Sequence, residues 1–189
     1  MSPCQTPSQT VGPFFRPALI EPGAENLLRA ETRGDRVTIE GRVVDGDGAP
    51  VTDAMLEIWQ ANAEGRYDHP EDDQERLLDP NFHGYGRAAT DALGEFRFHT
   101  VRPGSVPGIE GALQAPHINV SIFARGLLRR LVTRIYFPDE PLNITDAVLN
   151  AAPGARRATM IGKWSDTSHR NLRFDVVLQG ADETVFLDI

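Results

Sequence analysis

From Val37 onward the chain alternates as only a strand can: Val37, Ile39, Gly41 and Val43 fall on one face, Thr38, Glu40 and Arg42 on the other. Successive side chains of a strand leave opposite faces, so a period of two marks a strand with one buried face. The period returns in Leu56, Ile58 and Gln60 against Met55, Glu57 and Trp59, and in Phe96 and Phe98 against Arg97 and His99. Ile118, Val120, Ile122 and Ala124 then oppose His117, Asn119 and Ser121. Leu131, Thr133, Ile135 and Phe137 repeat the pattern, as do Leu172, Phe174, Val176 and Leu178. Asp45-Gly-Asp-Gly48 and Asp91-Ala-Leu-Gly94 supply turns where alternation stops. No 3.6-residue period is sustained, so an all-β chain is expected, folded as an antiparallel β-sandwich.

At 189 residues there is enough chain for one core and too little for two domains. Residues 1–36 are rich in Pro, Gly and polar groups and show no period. They read as an extended N-terminal arm with one short helix near Ala24 to Ala30, leaving 37–189 as the sandwich domain. A second brief helix is expected from Thr145 to Leu149, ahead of Pro153. The stretch from Ala61 to Asn81 is too long for an ordinary connection and is expected to lie over a site or an interface.

Composition excludes several classes. No apolar run approaches the ~20 residues of a membrane span, and the first residues carry no secretory pattern. Cys4 is the only cysteine, which rules out an internal disulfide and fits a cytoplasmic location. A net charge of -8 argues against a nucleic-acid surface. The one basic cluster, Arg125 with Arg129, Arg130 and Arg134, is too short for such a track and is a candidate anion or subunit contact. Asp45-Gly-Asp-Gly48 lacks the later ligands of a calcium loop, so a hairpin is preferred. Arg33-Gly-Asp35 and Asn143-Ile-Thr145 spell an adhesion tripeptide and a glycosylation acceptor without an extracellular context, and no Gly-x-Ser-x-Gly elbow is present.

The functional reading begins at Gln114-Ala-Pro-His-Ile-Asn-Val-Ser-Ile-Phe-Ala-Arg-Gly126. It continues through Thr6-Pro-Ser-Gln-Thr-Val-Gly-Pro-Phe14, Leu56-Glu-Ile-Trp-Gln-Ala-Asn-Ala-Glu-Gly-Arg-Tyr67 and Asp79-Pro-Asn-Phe82. Gly86-Arg-Ala-Ala-Thr-Asp91, Gly94-Glu-Phe-Arg-Phe-His-Thr-Val-Arg-Pro-Gly104 and Arg173-Phe-Asp-Val-Val-Leu-Gln-Gly180 complete the series. Taken in this order the motifs resemble the intradiol ring-cleaving dioxygenases over nearly the whole chain. That family holds one Fe(III) with two tyrosinates and a His-x-His pair, the hard phenolates suiting the ferric state.

Laid over this sequence, the four ligand positions fall on Tyr67, Val106, His117 and Asn119. Valine cannot bind metal and Asn119 is a poor ligand for ferric iron. The resemblance therefore implies a non-catalytic alpha subunit, with Fe(III) held by a homologous iron-binding beta subunit. Tyr67 and His117 are then remnants, a strand-end tyrosine and an inward histidine bonded to a neighbour. The implied chemistry is O2-dependent opening of protocatechuate between its hydroxyl-bearing carbons, giving 3-carboxy-cis,cis-muconate. By motif match, Thr10, Gly12 and Pro13 would wall the substrate pocket, and Arg125 would face the substrate carboxylate. An ordinary surface or interface ion pair competes for Arg125. Two other functions stay open: an inert binding or scaffolding sandwich, and a stand-alone catechol or hydroxyquinol dioxygenase. The last needs the complete ligand set.

Overall fold

Strand β1 (Arg36–Val44) is the seam of the molecule, hydrogen-bonded along both edges. The computed structural model describes residues 6–108 and 111–188; Cys4 and the rest of the first five residues lie outside them. On one edge β1 pairs antiparallel with β4 (Glu95–Val101), from Arg36↔Val101 to Arg42↔Glu95. The second sheet has the order β3 (Tyr85–Ala89), β2 (Met55–Trp59), β7 (His117–Phe123), β8 (Leu131–Tyr136), antiparallel throughout. Between the sheets the apolar faces meet: Val37, Ile39, Val43, Phe96 and Phe98 from one, Leu56, Ile58, Ile118, Val120, Ile122 and Ile135 from the other. A small hairpin, β5 (Val106–Pro107) with β6 (Leu113–Gln114), stands beside the start of β7. The all-β sandwich expected from alternation is the fold observed.

Three local expectations are corrected. No single strand runs from Leu172 to Leu178. The segment is split into β10 (Asn171–Arg173) and β11 (Val176–Val177), both parallel to β1. The break has a cause at Gly41, where a Cβ would lie 1.7 Å from the Phe174 carbonyl oxygen. Opposite it the Asp175 carboxylate accepts the Arg42 N–H at 2.9 Å, a ladder bond supplied by a side chain. Strand β9 (Lys163–Trp164) closes this edge against β10.

The helix expected near Ala24 to Ala30 is absent. The Ala24 carbonyl accepts from Arg87 N–H of β3 at 2.9 Å, while Leu27 N–H and the Glu25 carbonyl bond to His99 of β4. This segment links the two sheets, and its backbone groups are more fully answered by sheet edges than by a one-turn helix. The arm's helix, α1, lies earlier, at Phe15–Leu19. The second helix, α2, is Ala147–Ala151 rather than Thr145–Leu149. Asp146 caps it by accepting the Leu149 N–H at 2.9 Å. The Asp45-Gly-Asp-Gly48 turn is a hairpin, with Asp45 accepting the N–H groups of Asp47 and Ala49.

Candidate functional site

Register builds the site. In the ladder Asn119 of β7 stands opposite Trp59 of β2 and Arg134 of β8, and His117 stands opposite Tyr136. Directly opposed residues share a face, so the same outer face of the sheet carries all five side chains. The chain leaves β2 through the long 61–81 connection, which returns Tyr67 over Trp59 with ring centroids 4.9 Å apart. Gly65 (φ 80°) makes this return possible, since a Cβ there would meet the Ser105 carbonyl oxygen at 2.1 Å. The β5–β6 hairpin adds Val106, paired with Gln114. Tyr67, Val106, His117 and Arg134 line one open cavity of about 380 Å³, with Asp72, Asp73 and Glu71 among its other walls.

The four positions matched to the family's ligands are thus brought together, and Tyr67, His117 and Asn119 each hydrogen-bond inside the chain. His117 is 3% exposed; its Nδ1–H donates to the Ala115 carbonyl at 2.7 Å, a bond that assigns the tautomer. Burial first, and then the Arg134 charge, press its pKa down to about 4. Burial raises the Tyr67 phenol above its ordinary value, with Asn119 and Arg134 pulling the other way. The Asn119 amide donates to the Tyr67 hydroxyl at 3.4 Å and to the Trp59 carbonyl at 3.2 Å.

Arg134 is the residue that the sequence pattern undervalues, showing it only as part of a basic cluster. Its Nε–H donates to Asn119 Oδ1 at 3.1 Å and an Nη1–H to Gln114 Oε1 at 2.7 Å. The Tyr136 hydroxyl lies 3.4 Å from that Nη1 and donates to Asp146 Oδ1 at 3.0 Å. Asp146, fully buried, also accepts the N–H groups of Ala115 and Leu149. Alternation along β8 sets Arg134 and Tyr136 opposite Thr133 and Ile135. The signal available in the sequence is that a β8 residue on this face must neighbour the His117–Asn119 face of β7.

These residues do not fit a ferric ion with four protein ligands. Val106 offers no donor, Asn119 is engaged by Arg134 and Tyr67, and a guanidinium stands beside the remaining two side chains. Among the described residues no group of three or more His, Cys, Asp or Glu is placed to hold a metal ion.

The other predicted residues lie beyond the far end of β7, which spans roughly 20 Å from His117 to Phe123 at about 3.3 Å per residue, with Arg125 in the turn that follows. Thr10 Oγ1 accepts the Gly126 N–H at 2.7 Å, tying the arm beside Arg125. Phe15 packs on Phe123, centroids 5.4 Å apart. Arg125 is ion-paired through Nε with Asp53, yet its side chain remains 67% exposed. A Cβ on Gly12 would meet nothing within 4 Å, so that part of the arm faces open space.

A family model described as Dioxygenase matches residues 11–180. The chain is an intradiol dioxygenase family member. It is 41% identical over 199 residues to the protocatechuate 3,4-dioxygenase alpha chain of Burkholderia cepacia, covering 98% of both chains. The beta chain of the same enzyme is 42% identical over 165 residues, but the match spans 84% of this chain and 70% of that one. Identity alone does not separate the two relatives; the end-to-end match to the alpha chain does. The solved dioxygenase domain of a dioxygenase–carbohydrate-binding fusion from Streptomyces sp. SirexAA-E is 31% identical with a TM-score of 0.64, covering 93% of this chain and 99% of that one. The family's sandwich is the architecture described above.

Proposed function

We propose that this chain is the alpha subunit of a protocatechuate 3,4-dioxygenase, acting with a homologous beta subunit that holds Fe(III). The observation that carries this reading is the donor set: Val106 and Asn119 at two of four ligand positions, with the arginine of β8 hydrogen-bonded to the second. The end-to-end likeness to an alpha chain supports it. In the assembled enzyme a ferric ion held by the partner would supply the chemistry that opens the catechol ring between its hydroxyl-bearing carbons. This chain orients the substrate and supplies charge.

Thr10 anchors the arm to Gly126, so that Gly12 and Pro13 present a close, rigid backbone to the pocket. Asp53 holds Arg125 through Nε, and the exposed remainder of its guanidinium fork is shaped to meet the substrate carboxylate. Among the described residues no helix is long and apolar enough to cross a membrane. A cytoplasmic location completes the reading, consistent with the single cysteine.

Co-expression with an iron-binding relative, followed by metal analysis and a protocatechuate cleavage assay, tests the proposal. One co-purifying complex in equal ratio is expected, active together, while this chain alone is inactive with sub-stoichiometric iron. A coloured, iron-replete and fully active chain without a partner would overturn it.

A further inference from the structure

We infer that Arg134 is the resident cation of the degenerate pocket: its guanidinium stands among Tyr67, Val106, His117 and Asn119 and excludes a metal ion from the place those positions surround. The inference rests on the alpha-subunit reading and goes further, because missing ligands alone do not explain an arginine here. Two missing donors would leave a site able to hold metal on Tyr67, His117 and water. A fixed positive charge within hydrogen-bond distance of Asn119 removes that option by repulsion.

Three observations fix the guanidinium in place. The β7–β8 register sets Arg134 directly opposite Asn119. Its Nε and Nη1 donors are spent on Asn119 Oδ1 (3.1 Å) and Gln114 Oε1 (2.7 Å), both amide oxygens of the pocket wall. Behind it the Tyr136 hydroxyl bonds to the buried Asp146 carboxylate, which also binds the Ala115 N–H two residues before His117. One network therefore positions the arginine and the histidine together. Glu71, Asp72 and Asp73 line the same cavity as the guanidinium and carry the opposite charge.

The test restores the ligands with and without the charge. V106Y/N119H, V106Y/N119H/R134Q and V106Y/N119H/R134K are prepared in the full chain, with its partner wherever the partner is needed for solubility. Iron is counted above the complement of the unaltered protein, and absorbance is read in the tyrosinate-to-iron region. The expected result is about one added ferric ion per chain, with a charge-transfer band, in the R134Q triple variant only; V106Y/N119H and the R134K triple variant stay unloaded. Loading of V106Y/N119H to the level of the R134Q triple variant overturns the inference. So does failure of a folded R134Q triple variant to load.

Should the triple variants not fold, Co(II) titration of the single variants decides. R134Q is expected to bind at least tenfold more tightly than the unaltered chain and R134K, and equal affinities overturn the inference. Stoichiometric iron in the unaltered chain without a partner would instead defeat the alpha-subunit reading, so the two failures are distinguishable.

Discussion

At the His117 end of β7 the side chains of Tyr67, His117 and Asn119 all hydrogen-bond within the chain, whereas at the Arg125 end the groups turn outward. His117 gives its Nδ1–H to Ala115, and Asn119 is bound to Arg134. Eight residues later Arg125 is exposed and held by a single carboxylate, and Gly12 has open space where a Cβ would go. The two ends share one strand and one family motif. Groups meant to meet a ligand or a second chain are costly to satisfy internally, because an internal partner must then be displaced. The inward-satisfied end is the one that we propose no longer holds metal. The outward end is the one we propose still serves a pocket.

The comparison is most exposed to a change at Asp146. Its carboxylate accepts from Ala115, Leu149 and Tyr136, so Asp146→Ala leaves three buried donors unpaired. We expect a loss of about 3–5 kcal/mol in urea unfolding, with the Arg125 end's substrate preference unchanged in whatever folded complex remains. A loss under about 1 kcal/mol would mean that the His117 end is not held by this network.

The pH dependence of stability comes next. The folded pKa of His117 is depressed from 6.5 to about 4, so on acidification the unfolded chain takes up the proton first. Its contribution is present above pH 6.5 and is lost as pH falls toward 4, on the order of 3 kcal/mol in all. In His117→Gln that part of the profile should flatten, read as the change in unfolding free energy between pH 7 and pH 4.5. Identical profiles for the two proteins would show that the ring is not buried in its neutral form.

At the other end, Arg125→Ala in the assembled enzyme should raise KM for protocatechuate ten- to hundredfold, roughly 1.5–3 kcal/mol for one charge-assisted hydrogen bond. Unsubstituted catechol lacks the carboxylate and should be little affected, and lysine should restore only part of the binding. Equal losses for both substrates with a weakened complex would make Arg125 an interface residue. The smallest effect on the chain itself is expected from Gly12→Ala, under about 0.5 kcal/mol, since the new methyl meets nothing. The same substitution should lower turnover in the complex. An unchanged kcat/KM there would remove the arm from the pocket.

Alternation makes the strands legible in the residues themselves, because a period of two is a property of near neighbours and needs no knowledge of what a strand pairs with. The loss of two ligand donors is legible too, as residue types at motif positions. What the residues alone do not disclose depends on contacts far apart in the chain. The segment near Leu27 takes sheet edges over a helix because Arg87 and His99 offer it partners. The chain after Leu172 breaks in two because Gly41 admits the Phe174 carbonyl and Asp175 completes the ladder. Arg134 becomes the pocket's cation through the β7–β8 register, which sets it against Asn119 at a separation of 15 residues. Local sequence determined which face each side chain takes; only strand pairing decided which side chains meet there, because register is settled by the burial of both sheets at once.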